Sequence, residues 1–226
     1  MRKYTSEKYI ELVEKIDDPV FQSWQRAEMD VIGKVKDSKN KTFIDLGAGY
    51  GRVLPDLVKI ARNVISIDIN PDMIAELERR TKMYKNATAI GGDIQGLSKL
   101  LEKGDVKNPV LLIIQNTLGT IEGDYKKVLS ETKSVAEKYQ GEVIISILRQ
   151  EVLKDYGMRF YTAIQEMTGE PDLENIDFER GIFRSKTGYQ SKWWTSDEIE
   201  EIKSYFGGKV VNEFLTPHFA IIHISF

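Results

Sequence analysis

TFIDLGAGYGR, running from Thr42 to Arg52, is the stretch from which the fold of this chain is read. Its apolar run reads as a buried strand, and the alternate glycines Gly47, Gly49 and Gly51 as a tight loop leading into a helix. Glycine suits such a loop because the backbone can take φ > 0 there and a ligand can approach with no Cβ in the way. The outward-pointing amides of the following helix favour carboxylate or phosphate. A cofactor is therefore expected on this loop.

The next segments extend the pattern. NVISID, Asn63 to Asp68, is a second short apolar strand that ends in a carboxylate 17 residues after Gly51. In doubly wound α/β proteins an acid at that position accepts hydrogen bonds from both hydroxyls of a ribose. Asn70 and Pro71 open a helix as N-cap and first helical residue, and the pattern carries that helix to about Tyr84. Ala87 to Ile90 reads as a third strand closed by Gly91, Gly92 and Asp93, followed by a short helix from Leu97 to Leu101. Val110 to Ile114 is a continuous apolar run of the kind found in central parallel strands, and Gln115, Asn116, Thr117, Leu118 and Gly119 lie just past it. A helix from Asp124 to Tyr139 and a fifth strand from Glu142 to Leu148 complete a series of right-handed βαβ units.

On either side of this core the pattern changes. Thr5 to Ile16 and a segment from Pro19 through Phe21, Trp24, Val31 and Val35 have helical apolar spacing and form a cap over residues 1–40. Residues 150–194 make a long excursion, read as a helix from Glu151 to Met167 and a hairpin around Lys186, Thr187 and Gly188, and such excursions usually cover sites. Thr195 with Glu198 forms a capping box for a helix from Ser196 to Phe206, and two strands, Val210 to Leu215 and Phe219 to Phe226, then close the chain as antiparallel neighbours.

With 226 residues the chain is long enough for one α/β domain, residues 1–226, and too short for two large ones. Hydrophobic residues make up 41% and charged residues 30%, the balance of a soluble globular chain, and no apolar run approaches the length of a membrane span. The N-terminal MRKYTSEKYIELVEKI lacks the apolar core and cleavage site of a signal peptide. The absence of cysteine excludes disulfide and thiolate chemistry and makes a cytoplasmic location the expectation. A net charge of −3, with lysines interleaved among acids, argues against a nucleic-acid partner. His218 and His223, the only two histidines, are read as structural, and no metal-ligand cluster is expected.

Taken together, FIDLGAGYGR, SIDINPDMI, GGDI, IIQNTLG and the terminal WWTSDEIEEI segment resemble the class I S-adenosylmethionine (SAM) dependent methyltransferase family from Lys41 to Phe226. The resemblance implies a Rossmann-like doubly wound seven-stranded sheet of order 3-2-1-4-5-7-6 with its last strand antiparallel, N-terminal helices and a lid after strand five. It also implies an enzyme that binds SAM and releases S-adenosylhomocysteine (SAH). By the same resemblance Gly47, Ala48, Gly49 and Gly51 line the methionine portion and Asp45 supports its ammonium group. Asp68 takes the ribose hydroxyls, Ile69 packs on the adenine, and Asp93 with the Ile94 amide reads the adenine edge. Asn116 sits closest to the methyl group as the candidate catalytic residue.

The rival cofactor is a dinucleotide, whose fingerprint G-x-G-x-x-G is not met: the third glycine comes one residue early and Arg52 stands in its place. Family members that methylate nucleobase amines or glutamine amides often carry Asn or Asp, two prolines and an aromatic after strand four; this chain has Asn116, Thr117, Leu118 and Gly119. A small-molecule acceptor is therefore expected, with Trp24, Arg149, Tyr161 and Trp193 shaping its pocket. The alternatives are a protein or RNA acceptor and a SAM-binding protein that does not transfer.

Overall fold

Seven strands form one sheet in which the glycine loop leaves the centre at its carboxyl edge. In this computed structural model, residues 6–102 and 104–226 are described. Helices α1 (Ser6–Glu14) and α2 (Pro19–Gly33) precede strand β1 (Thr42–Leu46). Then follow α3 (Leu54–Ile60), β2 (Asn63–Asp68), α4 (Pro71–Thr81), β3 (Ala87–Gly91), α5 (Leu97–Leu100), β4 (Val110–Ile113), α6 (Thr117–Thr120), α7 (Tyr125–Tyr139) and β5 (Glu142–Leu148). An excursion carries α8 (Met158–Ala163), α9 (Gln165–Thr168) and the hairpin β6 (Ile182–Arg184) and β7 (Gln190–Lys192); α10 (Ser196–Phe206), β8 (Lys209–Leu215) and β9 (Phe219–Ser225) end the chain.

The sheet order is β3-β2-β1-β4-β5-β9-β8. Strands β1 to β5 run parallel, and β9 inserts antiparallel between β5 and β8, pairing Glu142 with Ser225 and Leu148 with Phe219. Once the lid hairpin is set aside, this is the expected 3-2-1-4-5-7-6 order. Period-two alternation sends Phe43, Val64, Val110, Leu112 and Ile144 to the face covered by α2 and α3, where Trp24, Ile32 and Leu57 meet them. Ile44, Ile65, Leu111, Ile113 and Ile145 go to the opposite face, against Val128, Leu129, Ile199 and Phe206 of α7 and α10. Both faces are thus buried, and the polar chemistry is left to the strand ends.

The cap helices form as expected; Thr5, where the first was placed, lies outside the described residues. Thr195 and Glu198 make the capping box. The excursion differs from expectation, since Glu151 to Met167 is not one helix. A 3₁₀ turn (Gln150–Val152) passes into a π turn (Leu153–Gly157) before α8, and Ile164, at φ −101°, ψ 17°, separates α8 from α9. The physical reason lies at Gly157: a Cβ there would stand 2.8 Å from Leu153 Cδ1 and 3.0 Å from Trp193 Cη2. Close packing of Trp193 onto bare backbone shifts the helical register, and the extra residue per turn absorbs it. The ends of the excursion meet again, with the Trp194 amide donating to Leu148 O at 2.8 Å. Among the described residues no helix is long and apolar enough to cross a membrane.

Candidate active site

Gly47, Gly49 and Gly51 have φ of +74°, +56° and +80°, the left-handed region that glycine enters without penalty. Their surroundings differ. A Cβ on Gly47 would lie 2.5 Å from Thr117 Cγ2, and one on Gly51 would lie 2.8 Å from Leu77 Cδ2, so both are needed for close packing. A Cβ on Gly49 would meet nothing within 4 Å. The loop is therefore packed at its ends and open in its middle, which is where a ligand can reach it. Helix α3 starts only at Leu54, beyond Arg52 and Val53, with Pro55 in its first turn.

The end of β2 lies beside that opening. Asp68 Oδ2 accepts the Gly49 amide at 2.8 Å and its Oδ1 accepts the Asn70 amide at 2.8 Å, while Asn70 caps α4 through the Asp72 amide at 3.0 Å. Ile69 follows with 68% of its surface exposed, an apolar side chain facing water at the sheet edge. Beyond β3, Asp93 Oδ1 accepts the Gln95 amide at 2.8 Å and caps the short turn that holds Ile94, which is buried. The Gln95 side chain reaches across to Glu122 O and to the Asp124 amide, tying this loop to the start of α7.

Beneath the loop sits a group of charges. Asp45, at the end of β1, is 3% exposed and its carboxylate makes no hydrogen bond among the described residues. Burial, against the pull of Arg52 and aided by the charges of Glu28 and Asp68, pushes the Asp45 carboxyl up to about 7. Glu28 on α2 is fully buried, pairs with Arg52, and accepts the Gln115 amide at 2.6 Å. Arg52 is matched by Glu28, so an ammonium group near Asp45 would favour its ionised form. The sequence reading passed over Glu28. The available signal was its spacing, because it falls on the same helical stripe as Phe21, Trp24, Val31 and Val35.

Past β4, Gln115 and Asn116 take φ of +52° and +57°, two consecutive left-handed residues without glycine. Asn116 is 2% exposed and its carboxamide is fully used: Nδ2 donates to Ser191 Oγ and Lys192 O, each at 3.0 Å, and Oδ1 accepts the Leu148 amide and Trp194 Nε1, each at 3.3 Å. In this conformation Asn116 binds the lid hairpin to the sheet edge and has no polar atom to spare.

Two elements close over this edge. Helix α1 lays Val13 with Tyr9 and Ile10 against Tyr50 and Met73, and the Tyr9 and Tyr50 rings meet edge-on with centroids 6.3 Å apart. Burial first, then the neighbouring phenols of Tyr189 and Tyr50 and the Asp68 carboxylate, push the Tyr9 phenol well up, and the Tyr9–Tyr50 contact brings α1 against the glycine loop. Trp24, Tyr161 and Trp193 are each 3% exposed or less, with Trp24 Nε1 bonded to Ser146 Oγ and Trp193 Nε1 donating to Tyr161 Oη at 3.0 Å. They contribute ring surface to the wall between lid and sheet. Arg149 is turned to Thr216 O, Glu151 and Ser196, near the lid's base. His223 bonds Glu142 at the far end of β5, and His218 stands edge-on to Tyr156 with ring centroids 4.9 Å apart.

An α/β sheet of this order, with an open glycine loop and an acid at the end of the neighbouring strand, defines a Rossmann-like domain, an architecture whose ligand crevices lie along the carboxyl edge. The methyltransferase domain family matches residues 37–187, and the chain belongs to it. The chain is similar to ribosomal RNA small subunit methyltransferase A of Clostridium botulinum, 29% identical over 133 residues. That match covers 57% of this chain and 47% of the relative, so the chain spans about half the length of the curated relatives it matches. Among solved structures it is similar to the PH0226 protein of Pyrococcus horikoshii, with a TM-score of 0.68, 17% identity and 93% of each chain covered. A SAM-dependent methyltransferase of Aquifex aeolicus gives a TM-score of 0.60 at 17% identity over 99% of each chain. These structural likenesses show the fold.

Proposed function

We propose that the chain moves the methyl group of SAM to a small-molecule acceptor held between the Gln115 edge and the lid. The residues present fit the cofactor. The open side of Gly49, where an added Cβ would meet nothing within 4 Å, would take the methionine portion, with Gly47, Ala48 and Gly51 beside it. The unpartnered Asp45 carboxylate suits its ammonium group. Asp68 would accept the ribose hydroxyls with lone pairs left over from Gly49 and Asn70, and Ile69 offers the exposed apolar surface that a planar adenine covers. Asp93 and the Ile94 amide would read the adenine edge.

Bound SAM supplies a methyl carbon activated by a sulfonium. The chain's residues have to orient an acceptor in line at about 3 Å and keep water out. Little charge is created in that step, so positioning and desolvation carry it. Asn116 serves by holding the lid.

The observation that carries the small-molecule reading is the bonding of Ser191, Lys192 and Trp194 to Asn116, which draws the chain's own hairpin over the acceptor side. An acceptor has to fit beneath that cover. The second reading, an RNA acceptor, is favoured by the similarity to ribosomal RNA methyltransferases, at 28–31% identity. Incubation with methyl-tritiated SAM and separate pools of cellular small molecules, total RNA and protein distinguishes them. Label in the small-molecule pool alone is expected; label in RNA would overturn the small-molecule reading.

A further inference from the structure

The carboxylate of Glu28 joins two loops that lie far apart in the sequence. It pairs with the guanidinium of Arg52, which ends the glycine loop, and accepts the backbone amide of Gln115, which opens the loop after β4. Glu28 is fully buried. Burying a carboxylate is costly, and an apolar residue of similar size would fill the space at a smaller penalty. What an apolar residue could not do is hold both partners.

Those partners belong to the two halves of the reaction. The loop ending at Arg52 faces the cofactor, and Gln115 stands at the edge where the acceptor approaches. Gln115 and Asn116 both take left-handed conformations, which asparagine tolerates and glutamine avoids, so something must hold Gln115 in particular. The lid and the Ser146 carbonyl, which accepts the Asn116 amide at 3.0 Å, hold Asn116; Glu28 holds Gln115. The Gln115 side chain is half-buried and makes no hydrogen bond among the described residues, leaving its carboxamide available to an acceptor.

We propose that Glu28 is a positioning residue for methyl transfer, keeping the glycine loop and the Gln115–Asn116 turn in one register so that the Gln115 carboxamide meets the acceptor in line with the methyl group. This rests on the methyl-transfer reading of the site. Glu28→Gln keeps an acceptor for the Gln115 amide and removes the charge that pairs with Arg52, whereas Glu28→Ala removes both.

The test compares SAH affinity by calorimetry, amide-proton exchange at Gln115 by NMR in the SAH-bound protein, and turnover at saturating SAM on the labelled acceptor pool. Glu28→Gln and Arg52→Gln are each expected to weaken SAH binding about tenfold, with Gln115 exchange left near wild type. Glu28→Ala is expected to weaken SAH similarly and to speed Gln115 exchange about 30-fold. Turnover in Glu28→Ala is expected to fall about 100-fold even with the cofactor site filled, a loss in kcat beyond the loss in affinity. Should Glu28→Ala fail to fold, Glu28→Gln still decides, because unchanged SAH affinity there overturns the proposal. Wild-type Gln115 exchange in a folded Glu28→Ala, or wild-type turnover at saturating SAM, overturns it as well. Failure of the wild-type protein to bind SAH would instead overturn the cofactor reading on which the proposal rests.

Discussion

Asp68 is bound to Gly49: the carboxylate at the end of β2 accepts the amide at the open point of the glycine loop at 2.8 Å, and its other oxygen accepts Asn70 at 2.8 Å. One side chain therefore shapes the loop and stands ready beside the opening, so little ordering is left for the ligand to induce. Asp68→Ala removes both bonds. It is expected to weaken SAM binding at least about tenfold and to destabilise the fold by about 1–2 kcal/mol, the group being partly exposed. Calorimetry and a thermal melt read the two effects, and unchanged affinity would remove Asp68 from the cofactor site.

The glycines are expected to separate stability from binding. Gly49→Ala introduces a Cβ that meets no atom of the chain, so its stability cost is the left-handed backbone alone, about 1–2 kcal/mol, while the cofactor loses its approach. Gly47→Ala adds a collision with Thr117 at 2.5 Å and is expected to lower the melting temperature further. Equal SAM affinity in Gly49→Ala and wild type would show that no ligand passes over that glycine.

Asp45 gives the site its pH dependence. Its carboxyl is raised from an ordinary 3.8 to about 7 by burial, so the folded state holds the proton more tightly than the unfolded chain. The stability it contributes is full below the ordinary carboxylate range and is lost as pH rises through about 7. Asp45→Asn is therefore expected to exceed wild type in stability at pH 8 by about 2–4 kcal/mol and to approach it at low pH. Ligand binding runs the other way, because an ammonium group favours the ionised acid. SAM affinity should rise between pH 6 and 8 in wild type and stay flat in the Asn variant, as calorimetry at several pH values would show.

Asn116 holds the lid through three hydrogen bonds and ties it to β5 through a fourth, from the Leu148 amide, in a buried place. Asn116→Ala leaves Ser191, the Trp194 indole and the Leu148 amide short of partners and puts a less tolerant residue at φ +57°. A fall in melting temperature of roughly 5–15 °C is expected, with faster proteolytic cleavage in the exposed turn at Lys186. Retention of both wild-type stability and protease resistance would mean that the hairpin is held elsewhere.

The parts of this molecule legible in its sequence are those governed by neighbours along the chain. Apolar runs such as FIDL and VLLI make strands, Asn70 and Thr195 cap helices on the spot, and glycine is required wherever the loop turns left-handed, so TFIDLGAGYGR and NVISIDINP carry their own structure. Glu28 was illegible for the opposite reason. Its partners lie 24 and 87 residues away, and on sequence alone it resembles any helical acid, except that it sits on an apolar stripe. The break in the lid helix depends on Trp193 coming to rest against Gly157, a contact created only by the complete fold. Asn116 lies just past β4, where the apolar run of that strand ends, but its use as a tie to the lid depends on Ser191 and Trp194, 75 and 78 residues further on.

The most direct test of the account is a calorimetric titration of the purified chain with SAM, SAH and NAD. Saturable one-to-one binding of SAM and SAH, strongly weakened by Asp68→Ala, with no heat from NAD, is the predicted result. Binding of NAD in place of SAM, or no binding of SAM and SAH at all, would contradict the assignment of the Gly47–Gly51 loop and with it the reading of the site.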